Sequence, residues 1–448
     1  MGYGIKDILH NKAKQLLHLE TEPGLGCTEP AAIGLSAAAA ASVLGQADVD
    51  SIDVAVDANI YKNAMGVIIP NAGGEGGVGL AAALGAAAGD ARQGLQVFIS
   101  ADAAGLAKAK ALLAAGKVAV GIKDDTGGLF VKTTITAGGR VAEAVITGTH
   151  DNLVGLTLDG QDMPLPGKAK SGGGENHDLD DLKQWLLSLS LAELVDILDD
   201  LDSDDFGYIR AGLSLNTALV DYGLAKGPGI GVGRSQLALV RQGLLQKDMA
   251  LWASIRAAAG IDSRMGGVPL PAMTLAGSGN QGIAAGMPVA AVSQFAVIED
   301  EFIMLRAMTL SYLVTCYIKA SAGLLSALCG SGIAGGAGVA AATAYLFGAS
   351  LEQIGGAIKN HIENTVAVVC DGAKTSCALK VGEMVGSGVK SALLAMHGCI
   401  VRATDGIIDK TPEITMRGMG IISRQGLSGM DPAILGIMLS KQQALASS

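Results

Sequence analysis

Cys370 and Cys377 bracket the stretch "CDGAKTSC", a polar, turn-prone segment between two apolar runs, "ENTVAVV" and "ALKVGEMVG". Two thiols at this spacing could serve a core, a disulfide or a metal. In a continuous helix they would share a face but stand about 10 Å apart along the axis, at ~1.5 Å of rise per residue. That is too far for one compact centre. The Asp-Gly pair directly after Cys370 breaks a helix, so a loop is expected, in which the two thiolates can converge. Cys329, in "LCGSGIAG", opens a Gly-rich loop whose backbone N–H groups suit thiolates and sulfide-rich clusters. A structural zinc wants a fourth Cys or His. Three thiolates with no evident fourth ligand suit a [4Fe–4S] cluster with one open iron, acting as a Lewis acid rather than an electron carrier. Three unrelated buried cysteines is the competing reading, and spacing alone does not separate the two.

The other candidates are weaker. Cys27 lies in "EPGLGCTEPAA" at a helix start, where a thiol has a lowered pKa. It suits a base, a nucleophile or a displaceable fourth iron ligand, against the plainer reading of a cysteine with no role. Cys316 and Cys399 sit inside apolar helical patterns and read as small buried hydrophobes. Of the histidines, His10, His18 and His177 have charged neighbours. His361 and His397 lie near the cysteines and are more often structural than catalytic, and His150 in "GTHDN" has no evident partner. G-x-G-x-x-G occurs at Gly74–Gly79, Gly277–Gly282 and Gly330–Gly335, but 64 of 448 residues are glycine, so about one match arises by chance. Only the first follows a strand-like segment, and its expected ribose partner, Asp102, reads instead as a first-turn helix residue. A dinucleotide fold is therefore disfavoured. "LAGSGNQG" (275–282) and "LCGSGIAG" (328–335) share L-x-G-S-G-x-x-G and read as paired loops at helix N-termini, where free N–H groups bind small anions.

The elements that must position these residues follow from periodicity and punctuation. Helices are expected over 4–20 and 29–45. Strands are expected at 51–58 and 65–70, and a helix over 80–89. Ser100 reads as the N-cap of the next helix. "VAVGIK", "LFVKTTITA", "RVAEAVITG" and "NLVGLTLDG" read as an antiparallel meander. The fold class is therefore α+β. Residues 1–165 form an α+β domain with an antiparallel sheet, 166–178 a linker by composition, and 179–448 a mostly α-helical bundle.

Composition excludes some classes. The chain is 50% hydrophobic and only 3% aromatic, with a net charge of −10. No basic stripe exists, so nucleic acid is an unsuitable partner. The start reads as an amphipathic helix rather than a signal peptide. Six cysteines without an export signal imply a reducing cytoplasm. Gly266–Ile298 and Ala322–Leu351 carry no charge and exceed the length of a membrane span, so a membrane transporter is a competing class. Against it stand the Gly-Ser-Gly breaks, Pro269, Pro271 and Pro288, and the absence of aromatic belts or Lys/Arg-rich flanks. Buried core helices are preferred, with no membrane partner. A homo-oligomer is compatible with the sequence.

"EPGLGCTEPAAIGL", "NAGGEGGVGL", "DSRMGG", "AGSGNQGI", "LCGSGIAGGAG" and "IENTVAVVCDGAKTSCALKVG" together resemble the L-cysteine desulfidases, relatives of the iron–sulfur-dependent L-serine dehydratase alpha chains. The resemblance runs from about residue 20 to 430. It implies cluster ligation by Cys329, Cys370 and Cys377, and matches Cys27 to a cysteine that is catalytic or a transient ligand. The serine dehydratases carry their third cysteine further along, so the compact "CDGAKTSC" and the "GCTEP" near the N-terminus point to the desulfidase branch. Serine dehydration is the alternative. A non-catalytic iron–sulfur regulatory protein is an alternative of another class.

The implied reaction is β-elimination without pyridoxal phosphate, from L-cysteine to sulfide, ammonia and pyruvate. The Cα proton is far less acidic than any side chain can match, so the substrate carboxylate needs electrostatic help. Asn71, Arg264, Ser278, Asn280 and Ser331 are the candidates for holding it. Cys27, Lys374 and His361 compete as the base, with a solvated loop lysine as the plainer reading of Lys374.

Overall fold

A computed structural model describes residues 5–45, 48–123, 126–166, 174–323 and 326–446. The chain is a mixed α+β protein, 60% helical, with its main sheet in the N-terminal part and helices beyond it. The sheet has six strands in the order Val118–Ile122, Val49–Val56, Phe130–Ala137, Arg140–Thr147, Leu153–Leu158 and Gln161–Asp162. All neighbours are antiparallel except the first two. Alternation in Phe130–Ala137 buries Val131, Thr133, Ile135 and Ala137 against the helix Thr28–Leu44, as a half-buried strand requires.

Three local expectations change. "VAVGIK" is not part of the meander: it pairs parallel to Val49–Val56 at the sheet edge, reached through the helix Ala103–Ala114. A parallel neighbour needs such a crossover, and the sequence between the two strands supplies one. The N-cap of that helix is Asp102, not Ser100, because its carboxylate accepts from Gly105 N at 2.8 Å. Residues 65–70 form no strand, only a single bridge between Ile68 and Gly76. The preceding residues Ala58–Ala64 are a helix, capped by Asp57. Of the expected linker, 167–173 lie outside the described residues, and a helix covers Gly174–Ser188.

Two cores form. One fills the space between the sheet and the helices Thr28–Leu44 and Val78–Ala88. The other is helical, and it includes Leu16 and Leu17 of the first helix, Ile5–Glu20, as well as Cys27. Glycine lets the helices approach closely. A Cβ on Gly85 would stand 2.4 Å from the Gly34 carbonyl, and one on Gly388 2.4 Å from the Gly336 carbonyl. Neither neighbour is a flexible side chain, so Gly388→Ala must push Cys377–Met396 off Gly330–Leu346. We expect a loss of about 1–3 kcal/mol in urea unfolding, the range for overpacked cores.

The long charge-free stretches are broken into separate elements, Pro271–Met273, Gly279–Phe295 and Gly330–Leu346. Among the described residues one helix, Glu301–Ala322, is long and apolar enough to cross a membrane. It lies inside the bundle, with 72% of its most apolar window buried.

Candidate active site

Two short ladders assemble the site. Pro23–Leu25 pairs antiparallel with Pro271–Met273, and the pairing continues as Ala276 N donates to Glu20 O at 2.9 Å. This sets the turn before Cys27 beside the loop before Ser278. In the second ladder Leu328 bridges Val369, with Cys329 N donating to Val368 O at 3.0 Å and Cys370 N to Ala327 O at 2.7 Å. Cys329 and Cys370 therefore flank one antiparallel bridge. Each ladder ends where a helix begins, at Gly279 and Gly330.

The paired Gly-Ser-Gly loops are neighbours in space. A Cβ on Gly330 would meet Gln281 Oε1 at 2.9 Å and Lys319 Nζ at 3.4 Å. Cys329 is the N-cap of Gly330–Leu346, and the Gly332 backbone amide in the first turn works to lower its thiol. Burial nevertheless pushes the Cys329 thiol up to about 12, and Cys370 and Cys377 push the same way. The Cys329 sulfur therefore lies within electrostatic reach of both Cys370 and Cys377. Burial also raises the Cys377 thiol, against the Lys374 charge. "CDGAKTSC" is a loop, as expected, and Cys377 starts the helix that follows. Asp371 latches it by accepting from Lys374 Nζ at 2.5 Å and Lys380 Nζ at 2.8 Å. Burial raises the Asp371 carboxyl, but these two lysines outweigh it and bring it down to about 2. Gly372 (φ +93°) lies so near the Lys62 carbonyl that a Cβ would stand 2.7 Å from it. The loop is thus seated on the helix Ala58–Ala64.

That helix leads to the second half of the site. Asn63 Nδ2 donates to Glu29 Oε1 at 3.0 Å, and Cys27 Sγ donates to Glu29 Oε2 at 2.7 Å. Thr28 Oγ1 reaches both Glu29 Oε2, at 3.2 Å, and the Gly277 carbonyl, at 3.3 Å. His150 Nε2 is 3.9 Å from Glu29 Oε1. Arg264, 2% exposed, donates from Nη1 to Asn280 Oδ1 at 3.0 Å. Its Nε and Nη2 have no hydrogen-bond partner among the described residues. A buried guanidinium with unmade bonds is costly unless an anion completes it.

The lowered pKa expected for Cys27 is reversed. Cys27 does cap a helix, but it is 4% exposed. Burial and the Glu29 charge raise its thiol well above the ordinary value, and Arg264 opposes them only in part. Burial works to raise Glu29 too, but His150, the Cys27 thiol and Arg264 outweigh it and hold the carboxyl below its usual range.

The remaining candidates are spread out. Ser278 and Ser331 are half-buried, Ser278 as N-cap of its helix and Ser331 in the first turn of the other. Asn71 has φ +62° and donates to the Phe98 carbonyl at 2.9 Å, so its side chain holds a turn. His361 is buried under Gly330–Leu346, with Nε2 3.1 Å from the Gly332 carbonyl. A carbonyl only accepts, so the proton is on Nε2, and burial pushes the imidazole down to about 4. His361 therefore props the Cys329 helix as a neutral group. Glu29, Asp371 and Lys319 escaped the sequence reading. Burial pushes the Lys319 ammonium down to about 8, against the charges of Cys370, Glu20 and Cys329. The signals were a carboxylate two residues after Cys27, an Asp-Gly after Cys370 and a lone lysine in an apolar helix.

The donor set fits an iron–sulfur cluster: three thiols, a helix N-terminus that begins at one of them, and Lys374, Lys380 and Lys319 to balance a cluster's negative charge. Among the described residues, no three His, Cys, Asp or Glu side chains converge as ligands of a single metal ion do. Ligands to three corners of a cluster stand further apart than that.

The pattern of the family described as "Serine dehydratase alpha chain" matches residues 202–436. A UPF0597 protein of Desulfatibacillum aliphaticivorans is 43% identical over 96% of this chain and 98% of its own length. One from Desulfotalea psychrophila is 43% identical over the same shares. One from Geobacter sulfurreducens is 35% identical over 94% of this chain and 97% of its own. The family is generally iron–sulfur dependent. With half its length under the family pattern and nearly all of it shared with the UPF0597 proteins, the chain belongs to the serine dehydratase alpha chain family.

Proposed function

We propose that the protein is a lyase that eliminates sulfide from L-cysteine without pyridoxal phosphate, using a [4Fe–4S] cluster. The observation that carries the reading is that Cys329 and Cys370 flank one antiparallel bridge, Leu328 to Val369, beside the compact loop that ends at Cys377. A cluster held by these three residues would supply a Lewis-acidic fourth iron for a thiolate or hydroxyl leaving group.

The chain's own residues supply the rest. Arg264, oriented by Asn280, holds the substrate carboxylate with its Nε and Nη2. This stabilises the negative charge that develops as Cα loses its proton. Cys27 Sγ directs its proton at Glu29 Oε2; passing that proton to Glu29 leaves a thiolate that takes the proton from Cα. Lys374 and His361 are already engaged by Asp371 and Gly332. The Cα–H electrons form the double bond of aminoacrylate, and the Cβ–S electrons leave with sulfide. Water then releases ammonia and pyruvate. The protein acts in the cytoplasm on a small amino acid, with neither nucleic acid nor membrane as a partner.

Steady-state kinetics of anaerobically purified protein on L-cysteine and L-serine tests this reading. We expect the larger kcat/KM for L-cysteine. A larger value for L-serine makes the protein a serine dehydratase, and turnover of neither removes the lyase reading.

A further inference from the structure

Cys27, Arg264 and Cys329 are at most 8% exposed, so a substrate needs a way in. A cavity of about 360 Å³ opens where the first helix, the helix Gly174–Ser188, the end of Glu301–Ala322 and the loop after the strand Arg140–Thr147 meet. That volume lies near the lower end of small-molecule sites, about 300–1,000 Å³. Residues of its walls adjoin both halves of the site. Lys319 abuts Gly330, next to Cys329. Thr149 precedes His150, and Ala276 precedes Gly277, whose carbonyl binds Thr28. Its charged lining is Glu20, Asp180, Lys183 and Lys319, two anions and two cations. Lys183 Nζ meets Glu20 Oε1 at 3.2 Å.

We infer that this cavity is a vestibule that recognises the zwitterionic head of an amino acid, its carboxylate at Lys183 and Lys319 and its ammonium at Glu20. Paired charges of both signs accept a zwitterion and penalise a molecule with only one of its charges. In this role the substrate replaces one partner of the Lys183–Glu20 pair at each end. The inference rests on the lyase reading only for the amino acid's fate, not for its binding.

L-Alanine, which has the same head and no leaving group, is the probe. Its affinity is measured by calorimetry on the iron-loaded wild type, Lys183→Met, Lys183→Arg and Glu20→Gln. We expect binding to weaken about tenfold or more in Lys183→Met and Glu20→Gln, the size of one hydrogen bond to a charged group. Lys183→Arg should recover most of it. The same variants should lose kcat/KM for L-cysteine through KM rather than kcat. Lys183 is 24% exposed, so its variants should fold even where Glu20→Gln does not. Unchanged L-alanine affinity in Lys183→Met, or no binding by the wild type, overturns the vestibule. Lysine-dependent alanine binding by a protein that turns over neither cysteine nor serine leaves the vestibule standing and removes the lyase reading instead.

Discussion

Cys377→Ser is expected to strip the protein of its iron while leaving it folded. Cys377 is the first residue of the helix Cys377–Met396 and is half-buried. Serine is nearly isosteric and leaves the N-cap, Ser376, unchanged, so the fold should lose under ~1 kcal/mol. A serine hydroxyl is a hard, protonated donor and does not replace a thiolate on iron. Loss of a mere supporting partner costs a metal site about 10–100-fold in affinity, and loss of a ligand costs more. Iron and acid-labile sulfide per chain should therefore fall at least tenfold, with the far-UV circular dichroism and thermal midpoint little changed. An undiminished brown absorbance in Cys377→Ser removes Cys377 from the ligand set. The same change at Cys399, which is exposed and far along the same helix's exit, should leave iron content alone.

Arg264→Met should cost turnover about 10²–10³-fold, the range for removing one preorganised donor at a developing negative charge. Its side chain is almost wholly buried and leaves two bonds unmade, at Nε and Nη2. The surroundings fix the guanidinium closely: a Cβ on Gly279 would stand 2.3 Å from Nε. A residue kept only for packing would lose stability on truncation. One kept for an anion should lose activity with little loss of stability, because the two unmade bonds go with the guanidinium and offset the positive charge that Glu29 loses. Arg264→Lys keeps the charge but not the fork, and should recover only part of the rate. Reduced stability with wild-type kcat/KM in Arg264→Met would assign Arg264 to packing.

Features that depend on neighbours in sequence were legible before the fold. Asp371-Gly372 announces a loop between the two cysteines, and the two L-x-G-S-G-x-x-G stretches announce helix starts. Each proved so, with Cys329 and Ser278 as caps. Features set by burial or distant pairing were not legible. A helix-start thiol is ordinarily acidic, but Cys27 is enclosed beside a carboxylate, and desolvation reverses the direction. His150 lacked a partner in the sequence because Glu29 comes from another element. Lys319 looked like an interruption in an apolar helix, and only the packing of its last turn against Gly330 gives it a role. The edge strand Val118–Ile122 carries the same alternation whether it runs parallel or antiparallel, so its direction had to come from the crossover helix.

The most direct test of the central claim is to purify the protein without oxygen and measure iron and labile sulfide together with pyruvate release from L-cysteine. The account predicts about four iron and four sulfide per chain, the content of one [4Fe–4S] cluster, and pyruvate formed in step with sulfide until air destroys both the colour and the activity. A colourless, iron-free protein that releases pyruvate at the same rate, or a fully loaded one that releases none, would contradict it.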